Sequence, residues 1–379
     1  MSAATSDTRN ASGTGRRLTP EPRAPYHKIH DNLAKVLQDM KTDTRHPRLV
    51  LALLAAAVLA VPSAALAADN VRVGAYASIS DAGLYIAKDK GYFAEQGISA
   101  EIVQVNTGSE MTSQLANGDL DASGGSPGAG LYNAVRQGID LKIVADKGSS
   151  LPGHGYFAFV VRKELADQIK TPADMRGHLL AVTGYGAGAS SEVTIARLLE
   201  SGGVKEKEIN QVNMQFADIA AALGTGKVDI GVLIEPLVTQ VVNKGIAVLW
   251  KRVDSIYPNQ QYGALMYGPG IMKRPDVAKR FMIAYLKAVR FYNDALEGKA
   301  SRDELVAILT KNTSVKNPDL YKEMAFPGLD PDGKLNVEGM KQDVAWWVSA
   351  GRMKESVPVE KLIDASYADA AVKALAVSK

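Results

Sequence analysis

After position 68, segments with a strand-like pattern of apolar residues alternate along the chain with segments that have a helix-like pattern. Short apolar runs, bounded by glycine, proline or aspartate, predict strands, and longer stretches with apolar residues three or four apart predict helices. The predicted strands are 71–76, 100–105, 121–124, 141–145, 157–162, 179–183, 212–216, 228–234, 247–250 and 262–267. The predicted helices are 82–90, 109–116, 128–137, 190–200, 218–223 and 236–243, and from Pro275 onward the pattern is almost wholly helical.

This order of strands and helices predicts an α/β fold of parallel-rich sheets with helices on both faces. The strand over 262–267 is expected to return to the first sheet. We therefore expect one lobe from 68–155 plus 263–379 and a second lobe from 156–262. Two crossings of the chain would leave a cleft between the lobes, which is a common place for a small ligand.

The apolar run at 49–61, LVLALLAAAVLAV, lies outside this pattern. It has 13 residues, whereas a membrane span needs about 20. Lys41, Arg45 and Arg48 precede the run, and the small residues of Ala65-Leu66-Ala67 follow it. We interpret 40–67 as a cleavable signal peptide, cut near Ala67/Ala68, although a short buried helix would show the same run.

Residues 1–39 are polar and rich in serine, threonine, arginine and proline, which indicates a disordered extension. Met40 would open a signal peptide of ordinary length, so our hypothesis is that translation starts there. The expected location of the product is the periplasm. No cysteine follows the cut site, which argues against a lipid anchor of the lipoprotein type.

Composition and charge narrow the function classes. The chain has no cysteine, which excludes disulfides and thiolate chemistry. Residues 1–67 hold 9 of the 44 basic and 5 of the 41 acidic residues, so the remainder carries 35 and 36. That balance gives no sign of a nucleic-acid surface. Asp330-x-Asp332-Gly333 resembles the start of a calcium loop but lacks its later acidic positions, so we interpret it as a turn.

A glycine-rich stretch after the strand at 179–183 matches a dinucleotide fingerprint. Gly184-x-Gly186-x-x-Ala189 has the spacing G-x-G-x-x-G/A, and Glu206 lies about 20 residues further on. The match falls in the second half of an exported chain rather than in a first βαβ unit. We therefore expect no nucleotide cofactor, and we interpret the loop as a binding element for a small polar solute.

Several phrases resemble one family of proteins. They are VRVGAYASISDAGLYIAKDKGYFAEQGISAEI, SEMTSQLANGDLDASGGSPGAGLYNAVRQGIDLKIVA, TPADMRGHLLAV and ALGTGKVDIGVLIEP, in this order over most of residues 70–379. The chain is similar to periplasmic solute-binding proteins of ABC importers, of the nitrate/sulfonate/taurine and NMT1/THI5-like group. The resemblance implies a two-lobed clamshell of the type II kind, a ligand in the cleft, docking to a membrane permease and a monomer without cofactor or metal.

Candidate ligand-binding residues follow predicted strand ends or lie where the chain crosses between lobes. Serines and glycines there can offer hydroxyls and helix-start N–H groups, Glu235 can accept from a ligand N–H, and tyrosines can stack on a ring. The candidates are Tyr76, Ser78, Ser80, Ser126, His154, Gly186, Gly188, Ser190, Ser191, Glu235 and Tyr262. Helix capping, a hinge salt bridge at Glu235, an exposed His154 and packed tyrosines are the structural alternatives.

The leading interpretation is a non-catalytic binding protein for a small organic anion such as a sulfonate or carboxylate. A pyrimidine-type thiamine precursor would instead suit Glu235 and the tyrosines. The family resemblance also covers enzymes such as pyrimidine synthases and desulfinases, which depend on histidines or a cysteine. This chain has no cysteine and, after residue 67, only His154 and His178. A periplasmic sensor domain is a further alternative.

Overall fold

The computed structural model describes residues 68–377, so the predictions for 1–67 lie outside the described residues. Within that range the strand pattern forms ten strands. They are β1 Asp69–Ala75, β2 Ile98–Gln104, β3 Ala122–Gly125, β4 Lys142–Ser149, β5 Phe157–Arg162, β6 Leu179–Val182, β7 Asn210–Asn213, β8 Ile230–Ile234, β9 Ala247–Arg252 and β10 Gln261–Tyr267.

The helices alternate with the strands up to β9 and then accumulate in the C-terminal third. They are α1 Ala82–Asp89, α2 Tyr92–Glu95, α3 Gly108–Asn117, α4 Ala129–Arg136, α5 Ser190–Ser201, α6 Phe216–Gly224, α7 Leu237–Asn243, α8 Pro269–Met272, α9 Pro275–Leu296, α10 Arg302–Asn312, α11 Val337–Ser349 and α12 Ser366–Val377. None of the helices in the described range is long and apolar enough to cross a membrane.

The strands form two five-stranded sheets with the same plan. The first has the order β2-β1-β3-β10-β4 and the second the order β7-β6-β8-β5-β9. In each sheet three neighbouring strands are parallel, and one strand that enters from the other sheet's stretch of chain, β10 or β5, runs antiparallel. Each sheet with its helices forms a lobe, which confirms the predicted two-lobed α/β fold.

The strand predicted over 212–216 is wrong in its position. Strand β7 pairs only with β6, and the ladder ends where Val182 lies opposite Asn213. An edge strand keeps extended backbone only as far as its partner offers hydrogen bonds. Phe216, which was predicted to end the strand, therefore begins α6. Its ring lies 5.9 Å, between centroids, from the ring of Phe157 at the start of β5.

The tail is less helical than its pattern predicts. Between α10 and α11, residues 313–336 contain only one short 3₁₀ turn and no long helix. Pro327 and Pro331 interrupt the segment, and its backbone instead follows β4, where the N–H of Asp330 donates to the Asp146 carboxylate at 2.9 Å. Proline cannot donate within a helix, so local sequence outweighs the apolar spacing here.

The two chain crossings between the lobes are hydrogen-bonded to each other. Ser150 donates its N–H to the carbonyl of Gln260 at 3.0 Å, and the N–H of Asn259 donates to the carbonyl of Ser150 at 2.8 Å. The buried Ser150 hydroxyl also donates to the Tyr257 carbonyl at 2.9 Å. The crossings thus form a paired hinge at one side of the cleft.

Candidate ligand-binding cleft

A cleft of about 930 Å³, counted to its open mouth, lies where the strands of both sheets meet. The parallel strands end at this edge and the antiparallel strands β5 and β10 begin there, so loops from both lobes converge on one space. Its lining is Tyr76, Ser80, Thr107, Gly108, Ser109, Thr112, Ser126, Gly128, Gly130, Leu131, Lys147, Tyr156, Phe157, Thr183, Gly184, Ala187, Gly188, Ala189, Ser190, Ser191, Asn213, Phe216, Ile234, Tyr262 and Gly263.

One wall of the cleft is aromatic. Phe157 stacks on Tyr262 with 4.5 Å between ring centroids and an interplanar angle of 25°. Tyr156 lies 4.8 Å and Phe216 5.9 Å from the Phe157 ring. Such a cluster offers an apolar aromatic surface that suits a ring-shaped ligand, while the Tyr262 hydroxyl bonds Thr194 behind it.

Lys147 is the one formally charged residue among the described residues that line the cleft. Its side chain is 1% exposed, and its Nζ lies 2.6 Å from Asp81 Oδ1 and donates to Ser80 Oγ at 2.8 Å. Gly124 leaves room for the methylene chain of Lys147, because a Cβ at position 124 would lie 2.9 Å from Lys147 Cε. Lys147 therefore lines the cleft as half of a buried ion pair.

The Asp81 carboxylate also holds the loop after β1. Its Oδ2 accepts from the N–H of Tyr76 at 3.0 Å and from the N–H of Ser78 at 2.9 Å. Between them Ala77 has a φ of +55°, which a non-glycine residue adopts only where its surroundings hold it. The same carboxylate thus positions both Lys147 and the loop that carries Tyr76 and Ser80.

The start of α5 is capped by its own glutamate. Glu192 is buried, and its Oε1 accepts from the N–H of Gly188 at 2.7 Å and of Ala189 at 3.1 Å. Arg352 holds the other carboxylate oxygen at 2.8 Å. The sequence predicted that these loop N–H groups would face a ligand, but the carboxylate of the third helical residue has the better geometry to accept them.

The lobes touch each other at the mouth of the cleft. Ala129 of α4 donates its N–H to the carbonyl of Gly188 at 2.8 Å, and the hydroxyls of Ser126 and Ser190 lie 2.9 Å apart. A Cβ at Gly128 would lie 2.7 Å from the Gly188 oxygen. This close backbone approach is possible only without a side chain at Gly128.

A polar network behind the aromatic wall joins the hinge to both lobes. The Gln260 amide donates to the carbonyl of Ser190 at 2.9 Å and to Asp343 Oδ2 at 3.1 Å. Its Oε1 accepts from Thr194 at 2.5 Å, and the Thr194 hydroxyl also bonds the hydroxyl of Tyr262. Asp343 is fully buried, and burial raises its pKa to about 7.

The structure brings seven of the eleven predicted site residues to the cleft and leaves four outside its lining. Those at the cleft are Tyr76, Ser80, Ser126, Gly188, Ser190, Ser191 and Tyr262. Gly186 is exposed at the tip of its loop. Ser78 is buried beside Asp81, so its hydroxyl, 3.1 Å from the Asp81 carboxylate, stabilises the loop.

His154 and Glu235 lie away from the lining for identifiable reasons. The ring of His154 lies 3.0 Å from the Phe326 carbonyl in the tail. Glu235 is fully buried, pairs with Arg252 at 3.2 Å and accepts from the N–H of Thr239 at 3.0 Å. Burial raises the pKa of Glu235. The partners of both side chains are thus protein groups, whereas the sequence analysis considered ligand groups.

Sequence reasoning missed Lys147 and the Phe157 wall. Lys147 lies between Asp146 and Gly148 in the polar last half of β4, beyond the predicted strand over 141–145, so no local signal marked it as buried. A lysine is almost never fully buried unless it is paired. Phe157 was predicted only as the start of a strand. The antiparallel entry of β5 at the cleft edge, which assigns Phe157 to the wall, was not part of the pattern.

Comparison with solved structures identifies the class of fold. The alkanesulfonate-binding protein SsuA from Xanthomonas axonopodis pv. citri, bound to MOPS, superposes with a TM-score of 0.63 at 18% identity, over 78% of this chain and 98% of that chain. The nitrate-binding protein NrtA from Synechocystis PCC 6803 gives 0.68 at 16% identity, over 82% and 90%. The fold is that of periplasmic binding proteins.

The family follows from the sequence model that the chain matches. The NMT1/THI5-like model covers residues 79–295, which is more than half of the chain. The chain belongs to the NMT1/THI5-like family. The same fold also occurs in DszB, solved as a variant with biphenyl-2-sulfinic acid, with a TM-score of 0.55 at 14% identity over 81% of this chain and 99% of that chain.

A curated relative matches a shorter stretch. A Haemophilus influenzae protein named for thiamine biosynthesis is 26% identical over 190 residues, which is 50% of this chain. The match spans only 56% of that relative's length.

Proposed function

We propose that this protein captures a small organic solute in the cleft between its lobes and delivers it to an ABC permease. The observation that carries the proposal is a cleft with one aromatic wall and facing hydroxyls, formed by loops of both lobes. The periplasmic-binding-protein fold and family membership support it. The signal peptide predicted over 40–67 would place the site of action in the periplasm. We also expect the protein to act as a monomer.

The stacked rings favour solutes that contain a ring. Both solute classes that the sequence left open, organic anions and thiamine-type pyrimidines, have such members. A ligand ring that packs against Phe157 and Tyr262 would displace water from their apolar surface. Serine and threonine hydroxyls of the cleft would bind the polar edge of the ligand.

Binding without turnover is part of the proposal. His154 and His178 both lie outside the cleft lining, and His178 contacts Asp229 at 3.3 Å instead. Neither imidazole is therefore placed to exchange a proton with a bound solute. The DszB-like fold makes catalysis the competing function, so the test must follow the compound as well as its binding.

The experiment is a thermal-shift screen of purified protein against sulfonates, aromatic and aliphatic carboxylates, nitrate and pyrimidines. A ligand that binds the folded state raises Tm by mass action. Hits are measured by calorimetry, and chromatography then follows each compound during incubation. Conversion of a hit into a new product would contradict the binding-protein function.

The matched variants are Phe157→Leu and Phe291→Leu. Loss of the ring at Phe157 should weaken a ring ligand about two- to tenfold, since an aromatic pair contributes roughly 0.5–1.5 kcal/mol beyond its buried area. Phe291 lies under Lys90 on the outer side of the first lobe and does not line the cleft. Its variant should bind like the original protein. Equal affinities for all three proteins would place the ligand elsewhere.

A further inference from the structure

The C-terminal tail of the first lobe reaches the second lobe through one arginine. Trp347 of α11 is buried and packs against Tyr132 of α4, with 5.6 Å between their ring centroids, so this end of α11 belongs to the first lobe. Arg352 follows α11, and its Nε donates to Glu192 Oε2 at 2.8 Å. Its Nη2 donates to Glu206 Oε1 at 2.9 Å. Both glutamates lie in the second lobe, at the start of α5 and shortly after its end.

The loop over 184–189 depends on Glu192 for its position. Glu192 Oε1 accepts from the last two N–H groups of the loop, at 2.7 and 3.1 Å, while Arg352 donates to its Oε2. All three glycines of the loop have a positive φ, which glycine adopts freely, so the loop itself supplies little rigidity. The loop also carries the carbonyl of Gly188, which accepts from the N–H of Ala129 in the first lobe at 2.8 Å. Arg352 therefore supports the lobe contact at the mouth of the cleft through Glu192.

We propose, building on the solute capture proposed above, that Arg352 is a positioning residue that keeps the two lobes in contact over the cleft and thereby slows the release of a captured solute. Glu192 is 2% exposed in this arrangement, and a buried carboxylate is costly unless a cation pairs with it. If the lobes separate, Arg352 moves away with the first lobe and water hydrates Glu192 instead. Loss of the guanidinium therefore penalises the closed arrangement alone and shifts the equilibrium toward an open one.

Hydrogen exchange of the Ala129 amide measures the lobe contact without a solute, because its acceptor is the carbonyl of Gly188 across the cleft. The rate is followed by NMR in the purified protein. Arg352→Gln should speed this exchange at least about tenfold, which corresponds to roughly 1.4 kcal/mol. Glu206→Gln should speed it about threefold, because it removes only the partly exposed partner, and it should fold even where Arg352→Gln does not.

The control is Arg162→Gln, which removes an ion pair of 3.0 Å with Asp229 inside the second lobe. These two side chains are partly buried, as those of Arg352 and Glu206 are, so this variant also loses stability. The exchange of Ala129 should nevertheless stay within about twofold of the original rate, because the lobe contact is intact. Arg352→Lys should restore part of the protection, since it keeps the charge but not the fork of donors.

Spin labels give a second measure of lobe separation, and the absence of cysteine lets them be placed at chosen positions. Ser113→Cys on α3 and Asp218→Cys on α6 add one label to each lobe, both at exposed positions. The distances between the labels are measured by double electron–electron resonance. They should shift to longer values in Arg352→Gln and not in Arg162→Gln.

Solute release is measured by surface plasmon resonance on the immobilised protein, with benzenesulfonate and 4-aminopyrimidine as probes. These compounds represent the two solute classes that the sequence left open. Arg352→Gln should release a bound probe at least about tenfold faster, with an association rate within about threefold of the original, because such changes act mostly on dissociation. Arg162→Gln should release the probe at the original rate.

The outcomes separate this inference from the proposed function. Unchanged Ala129 exchange and label distances in a folded Arg352→Gln protein would overturn the role of Arg352 and leave solute capture standing. Equal acceleration in Arg162→Gln would overturn it as well, because a loss of global stability would then explain the effect. Faster exchange with an unchanged release rate would overturn the link to solute release. Binding of neither probe would count against solute capture, whereas the exchange rates and distances would still decide whether Arg352 holds the lobes together.

Discussion

The carboxyl group of Asp343 lies buried between the hinge and the tail, and its replacement by asparagine should stabilise the protein at neutral and alkaline pH. Burial raises its pKa from the ordinary 3.8 to about 7, although the Gln260 amide at 3.1 Å and Arg197 favour the charged form. In the folded protein this group therefore keeps its proton up to about pH 7, whereas the unfolded chain releases it near pH 4.

The sign and size follow from proton linkage. Between about pH 4 and 7 the folded state binds one more proton at Asp343, so its contribution makes stability fall as pH rises. Each pKa unit is worth about 1.4 kcal/mol, and the three units amount to ~4 kcal/mol at pH 8. Asp343→Asn removes this cost and keeps a carbonyl oxygen for Gln260. The variant should match the original protein near pH 4 and exceed its stability by a few kcal/mol at pH 8.

The assay is equilibrium urea unfolding of both proteins at half-unit steps from pH 4.5 to 8.5. Burial also raises the pKa of Asp146 to about 6, but Asp146 is present in both proteins, so its effect cancels in the difference. The fully exposed Asp167 provides a control, and Asp167→Asn should not reproduce the rise. A difference that stays flat with pH, or an Asp343→Asn protein less stable at pH 8, would refute the reasoning.

Three further predictions concern the lobe contact and the buried ion pairs. Gly128→Ala should weaken calorimetric ligand binding about tenfold, because a Cβ there meets the opposing carbonyl at 2.7 Å. The control Gly224→Ala should not, because its Cβ would lie 3.6 Å from Ile246 and outside the cleft lining. Glu235→Gln should leave ligand affinity unchanged within twofold by the same assay, since Glu235 does not line the cleft. Arg352→Gln should lower the urea-derived unfolding free energy by about 2–3 kcal/mol, because it leaves the buried Glu192 carboxylate without its ion-pair partner. Arg352→Lys should restore part of that free energy. A loss of less than about 0.5 kcal/mol in Arg352→Gln would contradict a stabilising ion pair.

The order of elements could be predicted because it depends on local pattern. The strand over 157–162 was placed as the structure has it, and the helix over 190–200 differs from α5 by one residue at its end. Glycines and serines after apolar runs also marked loops that reach the cleft, such as Ser126 and Ser190. These signals work at short range, since the side-chain period and the turn residues are properties of neighbouring positions.

Positions that depend on pairing between distant parts of the chain were harder to predict from the sequence. The strand over 212–216 was misplaced because the end of β6 decides where β7 stops. Gly188 was expected to offer its N–H to a ligand, yet Glu192 accepts it. The sequence of this glycine-rich loop is compatible with either acceptor, a ligand or Glu192. Only the orientation of the helix start distinguishes a ligand donor from a capped terminus.

The sequence by itself determined the alternation of strands and helices, the polar strand ends and the absence of cysteine chemistry. The tertiary structure decided the electrostatics of the cleft. Lys147 and Ser80 are 67 positions apart, and Gln260 and Asp343 are 83 apart. Whether a charge at such a position is free or paired depends on which distant carboxylate the fold brings within about 4 Å, and no local spacing encodes that distance.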